Sequence, residues 1–507
     1  MKTKTILLIA SLSGSITSAI LYRLFPVGTG WVGWLSGAIL MALAIYFLLV
    51  TVNAVQAGKQ GLVLTLSAFA IRLVVGIGLM VALPVWGYDN DQQNAGYVFN
   101  DAYSRDTAAY ELAASGDSLL TVFNAEFFTD QYGGLAFLSA LVYRIFSMDA
   151  HRPYLMLIVT SFAFALGVPF FYTAVKKRLD ARLALAASWI ITLYPEGIFF
   201  TASQMREPFM IGGLMVLIWG VITWFEKDQR KHVLLLCIPA VLVLAAFSWL
   251  MTGAILLVLA GWFGIEWIQR HLPAAKHKRA YLILITAIVL VLTTAAFLGR
   301  QWLRETIWWD MTTMLHSSGH LEVLIEEQPR IIQYGFITTY GVLQILPPAA
   351  LIESSALLWK LIAVLRSLGW YLFLPLLIFG IYANWKKENK TERPLMSWLL
   401  AFTWFWIVFA SLRGGGDAWD NPRYRMLALP VIAMLVVWFW RQRDGWLWRL
   451  AAIMGVAIAL FTHWYISRYW QWWPPLSIIN MILAIGIVAV FIIGSGFWWE
   501  RKRRKST

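Results

Sequence analysis

The sequence predicts an all-α polytopic membrane protein with about fourteen transmembrane helices. Three observations carry that expectation. The 507 residues are 60% hydrophobic and 13% charged, where a soluble domain carries roughly 25% charge. Apolar runs of about 20 residues, enough to cross a bilayer, recur almost throughout. Many of the 29 tryptophans sit near the ends of those runs, among them Trp308, Trp309, Trp470, Trp472, Trp473, Trp498 and Trp499, as interfacial anchors do. The runs are too long for barrel strands. A single cysteine, Cys237, excludes intrachain disulfides and multi-cysteine metal sites.

In chain order the candidate spans are 5–23, 30–52, 62–85, 155–175, 183–201, 207–225, 232–249, 251–269, 280–298, 367–384, 395–412, 424–440, 447–466 and 475–497. The first has a basic, then apolar character and reads as a retained signal-anchor span. The run 62–85 is apolar apart from Arg72. The long run 232–268 must be split, and residues 248–253 are the place for it. The net charge of +14 reads as positive-inside bias rather than nucleic-acid binding, because the basic clusters lie between spans. With Lys2 in the cytoplasm and strict alternation, the clusters around Lys176–Arg178, Lys231, Arg270, Lys386, Arg441 and Arg501 all fall inside. Segments 86–133, 300–351 and 414–423 fall outside. The apolar stretch 134–148 contains Arg144 and is short. Spanning would break the parity, so it is expected to be an interfacial or re-entrant helix. The resulting organisation is three helices in 1–85, an acidic outer loop in 86–154, a helical bundle in 155–299, a second outer loop in 300–366 and C-terminal helices with a basic tail in 367–507.

Chemistry is sought first in 97–116, YVFNDAYSRDTAAYELAASG. It lies in a polar segment holding eight acids (Asp89, Asp91, Asp101, Asp106, Glu111, Asp117, Glu126 and Asp130) and one base, Arg105. Asp101 precedes a run of helical character in which Arg105, Ala109 and Leu112 fall near one face. A helix N-cap is the structural alternative for Asp101. A second constellation, Tyr194-Pro195-Glu196 with Arg206-Glu207-Pro208, forms an outer hairpin, and Pro208 suits a first helical turn. A third gathers Asp417, Asp420, Asn421, Arg423, Tyr424 and Arg425, with Lys360 and Arg366 expected just before the tenth span. Arginine on the outer side runs against the usual bias, and snorkelling to headgroups is the structural alternative. His316 and His320 stand at i,i+4, but Gly319 and the serines between them disfavour a helical metal site. Walker, GxSxG and HExxH motifs are absent from the sequence.

The 97–116 segment resembles the first extracytoplasmic loop of GT-C glycosyltransferases that use polyprenyl-phosphate sugars, such as the protein O-mannosyltransferases and lipid A aminoarabinose transferases. The residues that carry the resemblance are Asp101-Ala102, Ala109, Leu112 and Gly116. Aligning Asp106 instead places Tyr110 well but loses the glycine, so Asp101 is preferred and Asp106 is second. Glu207 matches the acid that opens a later span in the family. RYRMLALP, 423–430, matches an Arg-aromatic pair before a helix with proline.

The resemblance implies a GT-C-like bundle in a bacterial cytoplasmic membrane, and charge parity puts both termini inside. Asp101 would be general base and Glu207 would orient the acceptor or donor sugar, while Arg206, Arg366, Arg423, Tyr424, Arg425 and Lys360 are the candidates for binding substrate or the lipid phosphate. The implied donor is a polyprenyl-phosphate sugar, undecaprenyl phosphate in particular, and the acceptor a glycan, lipid or protein. Membrane lipids are further partners and nucleic acid is not. No cofactor is required by the sequence, and a divalent metal stays open. A polysaccharide polymerase or ligase acting on lipid-linked oligosaccharides, and a lipid-oligosaccharide flippase, remain alternatives. Buried mid-span charges and internal repeats would favour the flippase.

Overall fold

Helices are the expected element for apolar runs in lipid, since each backbone amide must bond within its own segment. The computed structural model bears this out. It describes residues 3–124, 129–226, 229–301, 304, 329–352, 355–385, 392–415, 419–474 and 476–506, and among these there is no strand. The helices are α1 (Thr3–Leu24), α2 (Gly30–Ala54), α3 (Gly58–Trp86), α4 (Asp91–Asn94), α5 (Asn100–Ser115), α6 (Gly134–Phe146), α7 (Tyr154–Arg178), α8 (Ala181–Leu193), α9 (Pro195–Thr201), α10 (Glu207–Thr223), α11 (Arg230–His271), α12 (Ala274–Leu298), α13 (Arg330–Leu343), α14 (Pro347–Ile352), α15 (Leu357–Ala383), α16 (Arg393–Gly414), α17 (Asp420–Met426), α18 (Leu429–Arg441), α19 (Gly445–Tyr469) and α20 (Ile478–Ser506).

Among the described residues ten helices are long and apolar enough to cross a membrane, or eleven if the bent pair α8–α9 is one span. The other expected spans are shorter or merged. α10 has 17 residues and α18 has 13. α11 is continuous except at Ser248, whose φ of −168° and ψ of 100° are not helical. The chain reverses there. Phe247 stacks on Phe209 at the start of α10, while Phe225, just past its end, stacks on Phe263. The long run is therefore two limbs, broken where the sequence requires a split. α6, with 13 residues, is the short helix expected between the acidic segment and α7.

The chain divides into two units, Met1–Val291 with Met426–Met434, and Leu292–Arg425 with Leu435–Thr507. In the first, α7 is mostly buried and packs against α2, α3 and α10. Gly212 of α10 lies so close to the Ala163 carbonyl that a Cβ would collide with it, the small-residue contact that lets membrane helices approach. Arg72, fully buried in α3, explains its place in an apolar run. Its Nε donates to Thr201 Oγ1 at 2.7 Å, and its Nη atoms donate to the carbonyls of Ala68, Thr192 and Ile191 at 3.2, 3.2 and 2.9 Å. Its guanidinium also covers the Phe164 ring at 3.4 Å. Tyr194-Pro195 bends α8 against α9 by 54°. Proline cannot donate to the helix ladder, and Arg72 supplies donors to the carbonyls at the end of α8.

In the second unit, α13 and α15 are joined by Trp370 Nε1 donating to the Val342 carbonyl at 2.8 Å and Tyr371 O–H to that of Leu343 at 2.9 Å. α19 and α20 form a hairpin closed by Trp446 Nε1 on Glu500 at 2.5 Å. One expectation needs correction. Lys360 and Arg366 do not precede the tenth span; α15 begins at Leu357 and contains both. Leu357, Leu358, Trp359, Leu361 and Ile362 continue the apolar pattern through Lys360, and Arg366 is buried within the unit, so neither cation ends the helix.

Candidate active site

α5 begins one residue before Asp101. Its N-cap is Phe99, with extended backbone, and no side chain caps it. The cap reading of Asp101 is thus replaced. Phe99 stacks on Phe200 at 5.5 Å with its ring nearly parallel, and this anchorage sets where the helix starts. Asp101 lies in the first turn and is exposed. An acid there is favoured by the helix dipole. The helix ends at Gly116, whose φ of 81° is left-handed, the usual role of a terminal glycine. Ala102, Ala109 and Ala113 are buried, so α5 lies close against its neighbours, α6 among them.

Asp106 is on the inner side of α5, 2% exposed. Its Oδ2 accepts from Tyr97 O–H at 2.7 Å, from Tyr143 O–H at 2.7 Å and from His151 Nε2 at 3.0 Å. Its Oδ1 is buried and meets no hydrogen-bond donor among the described residues. Burial first, and then the charge of Asp106, hold the Tyr97 and Tyr143 phenols well above their ordinary range, so both stay donors at neutral pH. His151 stacks on Tyr110 at 4.6 Å and meets the Tyr143 ring edge-on at 5.0 Å. Its side chain keeps 25% exposure. Tyr143 and His151 carry no signal in the sequence that links them to Asp106, from which they stand 37 and 45 residues away.

The structure brings the first and second constellations together. Arg105 Nη2 donates to the Gln204 carbonyl at 2.8 Å, and Tyr97, Ala102 and Met205 share a core with Phe99 and Tyr103 packed on it. A cavity of about 20 Å³ between these segments is lined by Gly96, Tyr97, Ala102, Pro153 and Gln204, room for about one water. Glu207 opens α10 and is buried, with Pro208 in the first turn as expected. Arg206 turns to the Tyr132 ring at 5.1 Å. Glu196, also buried, accepts from Tyr194 O–H at 3.3 Å.

The third constellation belongs to the second unit. Arg366, Arg423 and Arg425 are all buried, which is not the placement of snorkelling residues. Arg425 covers the Trp370 ring at 3.7 Å and donates to the Gln344 carbonyl at 2.9 Å. Arg366 covers Trp419 at 4.5 Å. Because Arg366 and Trp370 are one turn apart on α15, Arg425 packs on the helix face that carries Arg366. Tyr424 is half-buried beneath Arg413 at 5.5 Å, and Lys360 is half-buried. Asn421 is fully buried and fixes the start of α17 by donating to the Gly341 and Gly415 carbonyls at 2.8 and 2.9 Å. Asp417, His316, His320, Glu322, Glu326 and Glu327 lie outside the described residues. Among the described residues no group of three or more His, Cys, Asp or Glu is placed to hold a metal ion.

The fold and the apolar helices define a class, the all-α multi-span membrane proteins. No protein-family model matches the chain, and no curated protein matches it. Among solved structures, the archaeal oligosaccharyltransferase AglB from Archaeoglobus fulgidus, in complex with an inhibitory peptide and a dolichol-phosphate, is similar with a TM-score of 0.35 and 10% sequence identity. The similarity covers 84% of this chain and 54% of that one, so this chain spans about half of that protein's length.

Proposed function

We propose that the chain is a GT-C-type membrane glycosyltransferase, moving a sugar from a polyprenyl-phosphate donor to an acceptor hydroxyl at the extracytoplasmic face. The observation that supports this most is α5. Its first turn presents the exposed Asp101, and its inner side is fastened by the buried Asp106. A hydroxyl is a poor nucleophile at neutral pH, and a carboxylate within hydrogen-bond reach takes its proton as the bond to the anomeric carbon forms. The polyprenyl phosphate leaves with the bonding pair on the opposite face, so the anomeric centre inverts. Asp106 is the lesser candidate for the base, because three donors already crowd its Oδ2. In this reading Glu207 and Arg206 orient the sugar or acceptor. Arg366, Arg423 and Arg425, with Tyr424 and Lys360, stabilise the departing phosphate, for which buried guanidinium groups suit bidentate charge-assisted bonds. The membrane would be the bacterial inner membrane, with both termini cytoplasmic.

The test uses the full chain in nanodiscs with a panel of synthetic polyprenyl-phosphate sugars, reading release of polyprenyl phosphate. Asp101→Asn should lower turnover by about 10²–10⁴-fold with donor binding retained. Normal turnover in Asp101→Asn alongside loss in Asp106→Asn would move the base to Asp106. Absence of release from every donor by the unaltered protein would refute the reading. Arg423→Ala should weaken donor binding, and unchanged affinity would remove Arg423 from the phosphate site.

A further inference from the structure

His151, one of the three groups on Asp106, sits in a short loop with a fastening of its own. Its neighbour Arg152 is fully buried. Arg152 Nη1 donates to Asp149 Oδ1 at 2.6 Å and Nη2 to Oδ2 at 2.8 Å. The same Nη2 reaches the carbonyls of Val27 and Thr29 at 3.1 and 3.3 Å, and the Thr29 N–H donates to Asp149 Oδ2 at 2.7 Å. Val27 and Thr29 belong to the turn joining α1 and α2. Gly28, at the centre of that turn, has a φ of +65°, and a Cβ there would meet Ala150 Cβ at 2.5 Å and both Arg152 Nη2 and Asp149 Oδ2 at 2.7 Å. A Cβ on Gly33 of α2 would meet Arg152 Nε at 2.9 Å. Phe25 stacks on Tyr154 at 5.8 Å. Hydrogen bonds from Arg152 hold the Asp149 carboxyl well below the usual carboxylate range, so this ion pair is complete at neutral pH.

We infer that the α1–α2 hairpin is a positioning element for the candidate active site, acting through Arg152 and Asp149 as positioning residues. The contacts form an unbroken series. The turn at Gly28 holds the Arg152–Asp149 pair, that pair holds the loop backbone at His151, His151 bonds Asp106, and Asp106 fixes the roll of α5, on which Asp101 stands. An imidazole whose loop is released exchanges the Asp106 carboxylate for water, since its side chain is already partly exposed. The inference rests on the reading of α5 given under Proposed function.

The experiment labels the full chain in nanodiscs with diethyl pyrocarbonate and follows His151 by peptide mass spectrometry, with His277 of α12 as internal reference. Gly28→Ala should raise the His151 modification rate several-fold and leave His277 unchanged. Gly58→Ala is the control for backbone strain, because Gly58 has a φ of +68° and a Cβ there would meet nothing within 4 Å; His151 should react in that variant as in the unaltered chain. Asp149→Asn, which keeps an oxygen for the Thr29 N–H, should give a smaller rise and guards against a Gly28→Ala chain that fails to fold. Unchanged His151 reactivity in both Gly28→Ala and Asp149→Asn, or an equal rise in Gly58→Ala, overturns the inference. In the turnover assay, Asp149→Asn should lower kcat with the donor KM unchanged, and a raised KM at constant kcat overturns the positioning role. If Asp101→Asn retains turnover, the assignment of α5 fails while the His151 labelling result stands, so the two failures are distinguishable.

Discussion

Asp106 is buried yet tied to three donors that come from three separate segments: Tyr97 ahead of α5, Tyr143 on α6 and His151 in the loop before α7. Removing the acceptor takes their shared partner from the buried Tyr97 and Tyr143 phenols at once, which costs more than removing one donor. Tyr143→Phe should therefore destabilise by roughly 0.5–1.5 kcal/mol, and Asp106→Ala by about 1–3 kcal/mol for each donor left unsatisfied. Thermal unfolding in detergent checks the order, and equal losses would show that the network is not held by Asp106. Asp149 makes a pH-dependent contribution of definite sign. Its folded pKa is depressed by Arg152, so its stabilisation is fully present above the unfolded value, about 4, and is lost as pH falls from there through the folded value. The melting-temperature gap between the unaltered chain and Asp149→Asn should be constant from neutral pH down to about 5 and shrink below about 4. A gap that stays constant on acidification would contradict this.

Among the elements, α6 shows how a short apolar helix is held beside an acidic loop. Its N-cap residue, Gly133, has a left-handed φ of 75° and no side chain to offer. Asp130 supplies the cap from three residues earlier, its Oδ2 accepting from the Leu135 and Ala136 amides at 3.1 and 3.0 Å. At the other end Arg144 donates to the Leu112 and Ala113 carbonyls, at 2.7 and 3.3 Å, closing the last turn of α5. Asp130→Ala should cost about 0.5–2 kcal/mol, as cap removal does, and hydrogen exchange should rise first at Leu135 and Ala136; protection unchanged at both amides would exclude the cap. Arg144 also accounts for a charge in an otherwise apolar stretch, which the sequence presented only as an obstacle to spanning. Local pattern anticipates this helix and the break at Ser248. It places the start of α5 differently, because Asp is a favoured cap in isolation while the Phe99–Phe200 stack decides the matter in the fold.

For the whole molecule, charge parity makes a prediction that membrane-impermeant labelling can check. In a Cys237→Ala background, Asp117→Cys should react in intact cells and Lys276→Cys only after permeabilisation, following the positive-inside rule. The reverse pattern would invert the topology and with it the proposed side of the reaction. The sequence by itself determined that the chain is helical and multi-span, because apolar runs of this length in lipid must satisfy their backbone groups within each segment. It also singled out the acid-rich segment, the Glu207 hairpin and the arginines near 423 as candidates for chemistry. Only the tertiary structure decided which acids are buried: Asp106 and Glu207 lie inside, while Asp101 faces outward. Only it joined Arg152 to the turn at Val27, 125 residues away, and set Arg425 against Trp370, one turn from Arg366 on α15. Helix formation is local and follows from composition over one run. Burial and pairing depend on which helix faces meet, and that information is spread over residues far apart in the chain.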